Sequence, residues 1–297
     1  MEIHQLLYVV TASKYSNFTK AAKVLNISQP SLSNQIIKLE DEFNIKLFER
    51  RPHKVSLTAA GQDFVKYATK ILNDIDNLSE LMQNHADYKT GSIKLGALSI
   101  MLPLGISDII NDFHKIYPNI KIDLKEAGSS RLWDMLTTHE IDIGFLLMDD
   151  DKLPNIGINV KYEKLMEDSI MVALSKDHRL VNKEKITYAD LEKEKLIVGG
   201  SNFNFHNIII DSLINNGIKP NIVSECEQIY TSLQLANDGL GITFISEPVA
   251  KFYNFDNLKL LPMIPEKKRS IFIVTLDNLK YLPLVEIFYN FVLNKYI

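Results

Sequence analysis

Apolar residues in the first 58 positions recur at helical spacing and are interrupted at short intervals. Ile3, Leu6, Leu7 and Val10 lie three or four apart where they matter, which predicts a first helix over 3–13. In "NFTKAAKVLNIS", Thr19 is the expected N-cap of a second helix carrying Ala21, Ala22, Val24 and Leu25. Asn26 ends it, because Asn tolerates the left-handed conformation of a helix stop. Ser28 caps a third helix, with Pro30 in its first turn, where a missing N–H loses no bond. Leu32, Ile36 and Leu39 share one face of that helix. At about 100° per residue, Pro30, Asn34, Lys38 and Asp41 point the other way. Phe43-Asn44 closes the helix, and "IKLFERRPHKVSLT" gives two short strands around a Pro-containing turn. Helix, helix, tight turn, helix, hairpin is the order of a winged helix-turn-helix.

The pattern then changes twice. From Thr58 onward Phe64, Ala68, Ile71, Ile75, Leu78 and Met82 alternate spacings of four and three, a narrow seam along one long helix. Such a seam packs on its own domain or on the same helix of a second copy, and its place between two domains favours a homodimer. After Gly91 strands alternate with helices. "SIKLGAL", "IKIDLKEA", "IDIGFLL", "DSIMVAL", "KLIVGG", "NIVSECE", "LGITFIS" and "RSIFIVTL" read as strands. Helices are expected over 102–117, 130–139, 205–216 and 230–237, and from 281 to the end. The alternation predicts a mainly parallel sheet with covered faces, arranged as two α/β lobes around a cleft. The expected domains are 1–58, a linker helix over 59–90, and 91–297. One lobe takes about 91–162 with 267–297, and the other about 163–266.

Composition narrows the setting. The 297 residues exceed one ordinary domain, 46% hydrophobic content can fill several cores, and no apolar run reaches the length of a membrane span. "MEIHQLLYVV" has an acidic second residue and no small-residue cleavage site, so it does not read as a secretion signal. The single cysteine, Cys226, excludes an internal disulfide and fits a reducing, cytoplasmic setting. Net charge is −4, yet residues 1–58 hold eight Lys/Arg against five Asp/Glu, a formal +3 that leaves −7 on the remainder. A modestly basic module on an acidic body points to a nucleic-acid partner for the first.

Most catalytic chemistry finds no support. The seven histidines show no HxxH, HxH or HExxH spacing, and no GxSxG elbow or Walker loop occurs, so neither a metal nor a cofactor is expected. "DGLGITF" has two glycines and runs from helix to strand, the wrong order for a phosphate loop. It reads as a turn needing positive φ at glycine. Cys226 has no resolving partner and reads as a buried packer, and Trp133 as core. Two segments remain, "AGSSRLW" and "VGGSNFNFH", where Gly, Ser and Asn stand between a strand and a helix N-terminus, with Ser99 beyond the first strand. Free N–H groups and hydroxyls there suit an anion, and simple capping is the competing reading of each residue. All three turns fall at carboxyl ends of strands, where open α/β sheets bind ligands.

The stretch "FTKAAKVLNISQPSLSNQIIKLEDEFNIKLFERRPHKVSLTAAG" closely resembles the DNA-binding domain of LysR-type transcriptional regulators. Ala21, Ala22, Leu25, Ser28-Gln29-Pro30-Ser31-Leu32-Ser33, Ile36, Leu39-Glu40, Leu47-Phe48, Arg50 and Leu57-Thr58-Ala59-Ala60-Gly61 carry the likeness. "FHKIYPNIKIDL", "HEIDIGF" and "DGLGITFIS" extend it over the whole chain. Ser31, where the family often has Ala, and Phe43-Asn44, where it has Leu-Gly, depart from the pattern. The resemblance implies a sequence-specific regulator with a periplasmic-binding-protein-like effector domain. Its third helix would enter the major groove with Thr19, Gln29, Pro30, Ser31, Ser33, Asn34 and Lys38 at the DNA, and Arg50 and Arg51 of the wing on phosphates. Glu40, Asp41 and Glu42 sit at the far end of that helix. Matching turns imply an effector site at Ser99, Ile100, Ser129, Asn202, Phe203, Tyr230 and Phe244 for a small anionic metabolite. Implied partners are double-stranded DNA, further copies as dimer and tetramer, and RNA polymerase. A transport solute-binding protein would explain residues 91–297 but not 1–88, and an enzyme would need a nucleophile or base cluster that the sequence lacks.

Overall fold

The computed structural model describes residues 1–51, 54–84, 91–101, 103–148, 159–199, 204–266, 268–277 and 283–296. Contacts divide the chain into two units, residues 1–88 with 137–140 and residues 89–136 with 141–297.

The first unit runs α1 (Ile3–Tyr15), α2 (Phe18–Val24), α3 (Gln29–Phe43), β1 (Phe48–Arg51), β2 (Lys54–Leu57) and α4 (Ala59–Asn84). Val9, Ala12, Ala21, Ala22, Leu32, Ile36, Leu39, Leu47 and Phe48 form its core. The alanines let α2 lie close to its neighbours. The turn into α3 closes through the Ile27 N–H to the Ala22 carbonyl, with Asn26 at φ 54°. Thr19 does not cap α2: Asn17 does, its side chain accepting from the Lys20 N–H at 3.0 Å, and Thr19 lies exposed inside the first turn. Phe18 opens the helix, its ring packed edge-on against Phe48 at 5.3 Å. Ser28 caps α3 as expected, accepting from the Ser31 N–H at 3.2 Å, and Asn44 closes it in the left-handed conformation at φ 53°. β1 and β2 pair antiparallel, Phe48 opposite Leu57 and Arg51 opposite Lys54.

Thr58 joins the hairpin to α4. Its hydroxyl donates to the Lys46 carbonyl at 2.7 Å and accepts from the Gly61 N–H at 2.9 Å, while its own N–H donates to Leu47. Gly61 lies so close to Leu47 that a Cβ there would sit 2.0 Å from its carbonyl oxygen. Along α4, Ala68 is buried and Phe64 packs on the core, but Leu78 and Met82 are 58% and 55% exposed.

The second unit continues with β3 (Gly91–Ala97), α5 (Ile106–Ile116), β4 (Ile120–Glu126), α6 (Ser129–Thr137), β5 (Ile143–Met148) and β6 (Val160–Ser175). Then come β7 (Ile186–Thr187), a single 3-10 turn (Tyr188–Leu191), β8 (Lys195–Gly199), α7 (Asn204–Asn215), β9 (Asn221–Cys226) and α8 (Ile229–Asn237). β10 (Ile242–Ser246), α9 (Glu247–Phe252), β11 (Leu258–Ile264), β12 (Lys268–Leu276) and α10 (Pro283–Tyr296) complete it. Strands follow the order β4-β3-β5-β12-β6-β10-β8-β9, with β11 beside β6 and β7. β3, β4 and β5 are parallel, as are β8, β9 and β10, but β6, β11 and β12 run antiparallel to their main neighbours. The expected mainly parallel sheet is therefore two parallel halves joined by antiparallel strands.

Two large cores fill the halves. One gathers Ile93, Phe113, Phe145, Ile273 and Phe288, and the other Val172, Leu196, Leu213, Ile242 and Phe244. "DSIMVAL" is only the second part of β6. The strand pairs with β12 through Ser169 and with β10 from Ile170 onward. The helix expected over 102–117 starts at Ile106, after Gly105 at φ 72°.

Candidate functional site

Two surfaces concentrate the side chains singled out by sequence. The first is the outward face of α3. Gln29, Pro30, Ser31, Asn34 and Lys38 are exposed and Ser33 is half-buried, while Leu32, Ile36 and Leu39 have no exposure at all. Capping fixes the helix start, so the short side chains stand on a rigid tip where backbone can approach a partner closely. Arg50 and Arg51 lie on β1; their side chains fall outside the described part of the structure.

Acidic residues of α3 are turned away from that tip. Glu40 is buried, accepting from the Leu47 N–H at 2.9 Å and the Phe48 N–H at 3.2 Å, with Lys46 Nζ 3.1 Å away. Asp41 also faces Lys46, at 3.6 Å, and Glu42 binds the N-terminal ammonium at 2.9 Å. Glu40 thus anchors the start of the wing, a role that sequence reading missed. A carboxylate in the last turn of a helix gives no local sign that its partners are N–H groups seven and eight residues on.

The second surface is at the carboxyl ends of the strands in the second unit. The Ala127 N–H donates to the Ala97 carbonyl at 3.1 Å, which draws the turn after β4 to the end of β3. Ser99 is exposed in the turn after β3, and Ile100 packs against residues of both halves. Ser129 opens α6 and is buried, its hydroxyl accepting from the Leu147 N–H at 3.0 Å, so it ties α6 to β5 and keeps a proton to donate. Phe244 lies inside the second core. Tyr230, in the first turn of α8, is 53% exposed, with its ring 5.3 Å from Phe255 and 5.9 Å from Tyr253. Asn202 and Phe203 lie outside the described residues.

Sequence reading also missed the polar residues where β6 passes from β12 to β10. Asp168 and Arg269 form an ion pair there, with side chains at 0% and 1% exposure. Elsewhere the quiet readings hold: Cys226 is buried, its Sγ 3.6 Å from Ser224 Oγ, and Trp133 packs on the first core. Gly239 takes φ 81° at the turn before β10. Among the described residues no group of three His, Cys, Asp or Glu is placed to hold a metal, and no helix is long and apolar enough to cross a membrane.

Known proteins resemble the chain in both units. Residues 3–62 match the bacterial regulatory helix-turn-helix proteins of the lysR family, and residues 86–296 match the LysR substrate binding domain. The HTH-type transcriptional regulator AlsR of Bacillus subtilis (strain 168) is 32% identical over 258 residues, 86% of this chain and 84% of that protein. BenM of Acinetobacter baylyi (strain ATCC 33305 / BD413 / ADP1) is 29% identical, over 92% of this chain and 89% of its own. Among solved structures, full-length CbnR complexed with its target DNA superposes with a TM-score of 0.67 at 21% identity, over 99% of each chain, a likeness of fold.

Proposed function

The chain belongs to the lysR family of bacterial helix-turn-helix regulators, and on that premise we propose how its two units divide the work of ligand-controlled transcription. It is a transcriptional regulator with an N-terminal DNA-binding domain and a C-terminal effector-binding domain. The observation that carries the residue-level reading is the rigid, exposed tip of α3, from which Glu40 is turned inward. Gln29 reads an adenine edge in the major groove, and Ser31, Ser33 and Asn34 contact bases or phosphates. Lys38, Arg50 and Arg51 hold phosphates, and Thr19, exposed at the start of α2, adds a backbone contact. Pro30 keeps the tip narrow.

The two halves of the second unit bind a small anionic effector at the strand ends, with Ser99, Ile100 and Ser129 on one side. Asn202 and Phe203, which precede α7 in the sequence, and Tyr230 and Phe244 of the other half complete the site. The exposed end of the α4 seam pairs two copies, and the pairs assemble into a tetramer on DNA. Effector binding shifts the arrangement of those copies and so the access of RNA polymerase in the cytoplasm. No catalytic step is assigned to the chain.

A gel-shift with the DNA upstream of the protein's own gene tests the DNA reading. Gln29→Ala should lose discrimination at one base pair, about 1–3 kcal/mol. Arg50→Ala should weaken every duplex and lower the salt slope by about one. Equal losses on specific and random DNA for Gln29→Ala would sink the base-reading role.

A further inference from the structure

The first turn of α1 lies against the flank of α3, and one buried amide there fixes the orientation of another at the surface. Gln5, in that first turn, is only 7% exposed. Its Oε1 accepts from the Glu2 N–H at 2.8 Å, and its Nε2 donates to Gln35 Oε1 at 3.3 Å. A backbone N–H can only donate, so the oxygen of the Gln5 amide must face Glu2 and its nitrogen must face α3. The oxygen of Gln35 is then taken up by Gln5, and its nitrogen is left on the other side of the amide. Gln35 is half-buried, but this nitrogen keeps contact with solvent and has no hydrogen-bond partner among the described residues.

Residues three and four apart are neighbours on a helix surface, so Gln35 stands between Ser31 and Lys38, both exposed. Glu42, seven residues on and so on the same face, is occupied by the Met1 ammonium at 2.9 Å. The start of the chain thus covers α3 from Gln35 towards its C-terminal end and leaves the Ser31 side open. We propose that Gln35 is a further DNA contact that offers the duplex donors only, and that Gln5 is the positioning residue that keeps it so. An amide free to turn can pair with an adenine edge through one donor and one acceptor, the role assigned to Gln29. Gln35 cannot, because its oxygen is held by Gln5. It takes acceptors alone, a phosphate oxygen or the N7, O6 or O4 atoms of bases in the major groove. This inference rests on the placing of α3 in the groove and adds a residue with its donor-only chemistry.

Gel-shift titrations of the full-length protein test the proposal, on the duplex upstream of its own gene and on a random duplex of the same length. Gln35→Met keeps the length and helix preference of the side chain and removes its donors. Binding to the upstream duplex should weaken about fivefold or more, the contribution of one hydrogen bond. An equal loss on both duplexes identifies a phosphate oxygen as the acceptor, and a loss confined to the upstream duplex identifies a base. Gln5→Glu still accepts from the Glu2 N–H but cannot donate to Gln35, so binding should fall by a similar factor although Gln5 is buried. In a protein already carrying Gln35→Met, Gln5→Glu should cost less than about twofold more, which separates release of Gln35 from the added charge. Gln35→Ala repeats the test if Gln35→Met does not fold. Binding within about twofold of the unmodified protein after loss of the Gln35 amide would overturn the proposal and leave the Gln29 reading standing. So would a Gln5→Glu loss that is the same with and without Gln35→Met. An unmodified protein that prefers neither duplex would sink the placing of α3 in the groove, and the proposal with it.

Discussion

Removing the Glu40 carboxylate should loosen the wing without disturbing the tip of α3. In the intact protein its Oε1 accepts from two buried backbone N–H groups, at 2.9 and 3.2 Å. Glu40→Ala leaves both donors unsatisfied, at about 1–3 kcal/mol each. The ion pair with Lys46 adds little, because that lysine is 65% exposed and keeps Asp41 as a partner. The sum is about 2–6 kcal/mol, felt first in the residues that lead into β1. Amide hydrogen exchange on the full-length protein reads this directly. Protection of Leu47 and Phe48 should fall about 30-fold or more, at roughly tenfold per 1.4 kcal/mol. Leu32 and Ile36, in the middle of α3, should change far less. Glu40→Gln keeps one acceptor oxygen and should recover about half of the lost free energy. Protection of Leu47 and Phe48 within threefold of the unmodified protein for Glu40→Ala would refute the anchoring role.

Gly61→Ala forces a Cβ against the Leu47 carbonyl, a backbone atom that cannot swing aside, and should destabilise the first unit by about 1–3 kcal/mol. A lowered first transition in a thermal melt, with weaker DNA binding near it, is the expected readout. Replacing exposed Leu78 and Met82 with glutamate should shift the protein towards monomer in sedimentation while leaving its circular dichroism unchanged. Asp112 is held at a pKa of about 2, below the usual 3.8, by hydrogen bonds from Lys295 and Lys115 and by their charge. Its folded value is depressed, so the tie between α5 and α10 is present above about 3.8 and is lost as pH falls through about 2. An NMR titration of the Asp112 carboxyl should show that low midpoint, and Lys295→Ala should raise it.

Local chemistry made the first unit legible in the sequence. Ser28, Pro30 and Asn44 each act within four residues of their own position, and Leu32, Ile36 and Leu39 declare one face by spacing alone. Thr19 misled because Asn17 is an equally good cap two residues earlier, and it is the Asn17 side chain that accepts from the Lys20 N–H. The first part of β6, "VKYEKLME", is too polar to announce a strand, and its pairing with β12 lies a hundred residues away. The same distance hides Asp168–Arg269: two common charged residues, 101 positions apart, carry no joint signature. β11 escaped for a different reason, since Pro262 interrupts a run that would otherwise read as a strand.

The length of β6 has a mechanical consequence. One strand of 16 residues passes through both halves of the second unit, hydrogen-bonded to β12 in the first and to β10 and β11 in the second. Halves joined only by loose loops would turn about free backbone dihedrals at almost no cost. Here a rotation must instead wring a hydrogen-bonded ribbon, and sheet twist changes by degrees before bonds break. β6 and β12 therefore behave as a torsion bar. They resist large swings and return small ones elastically.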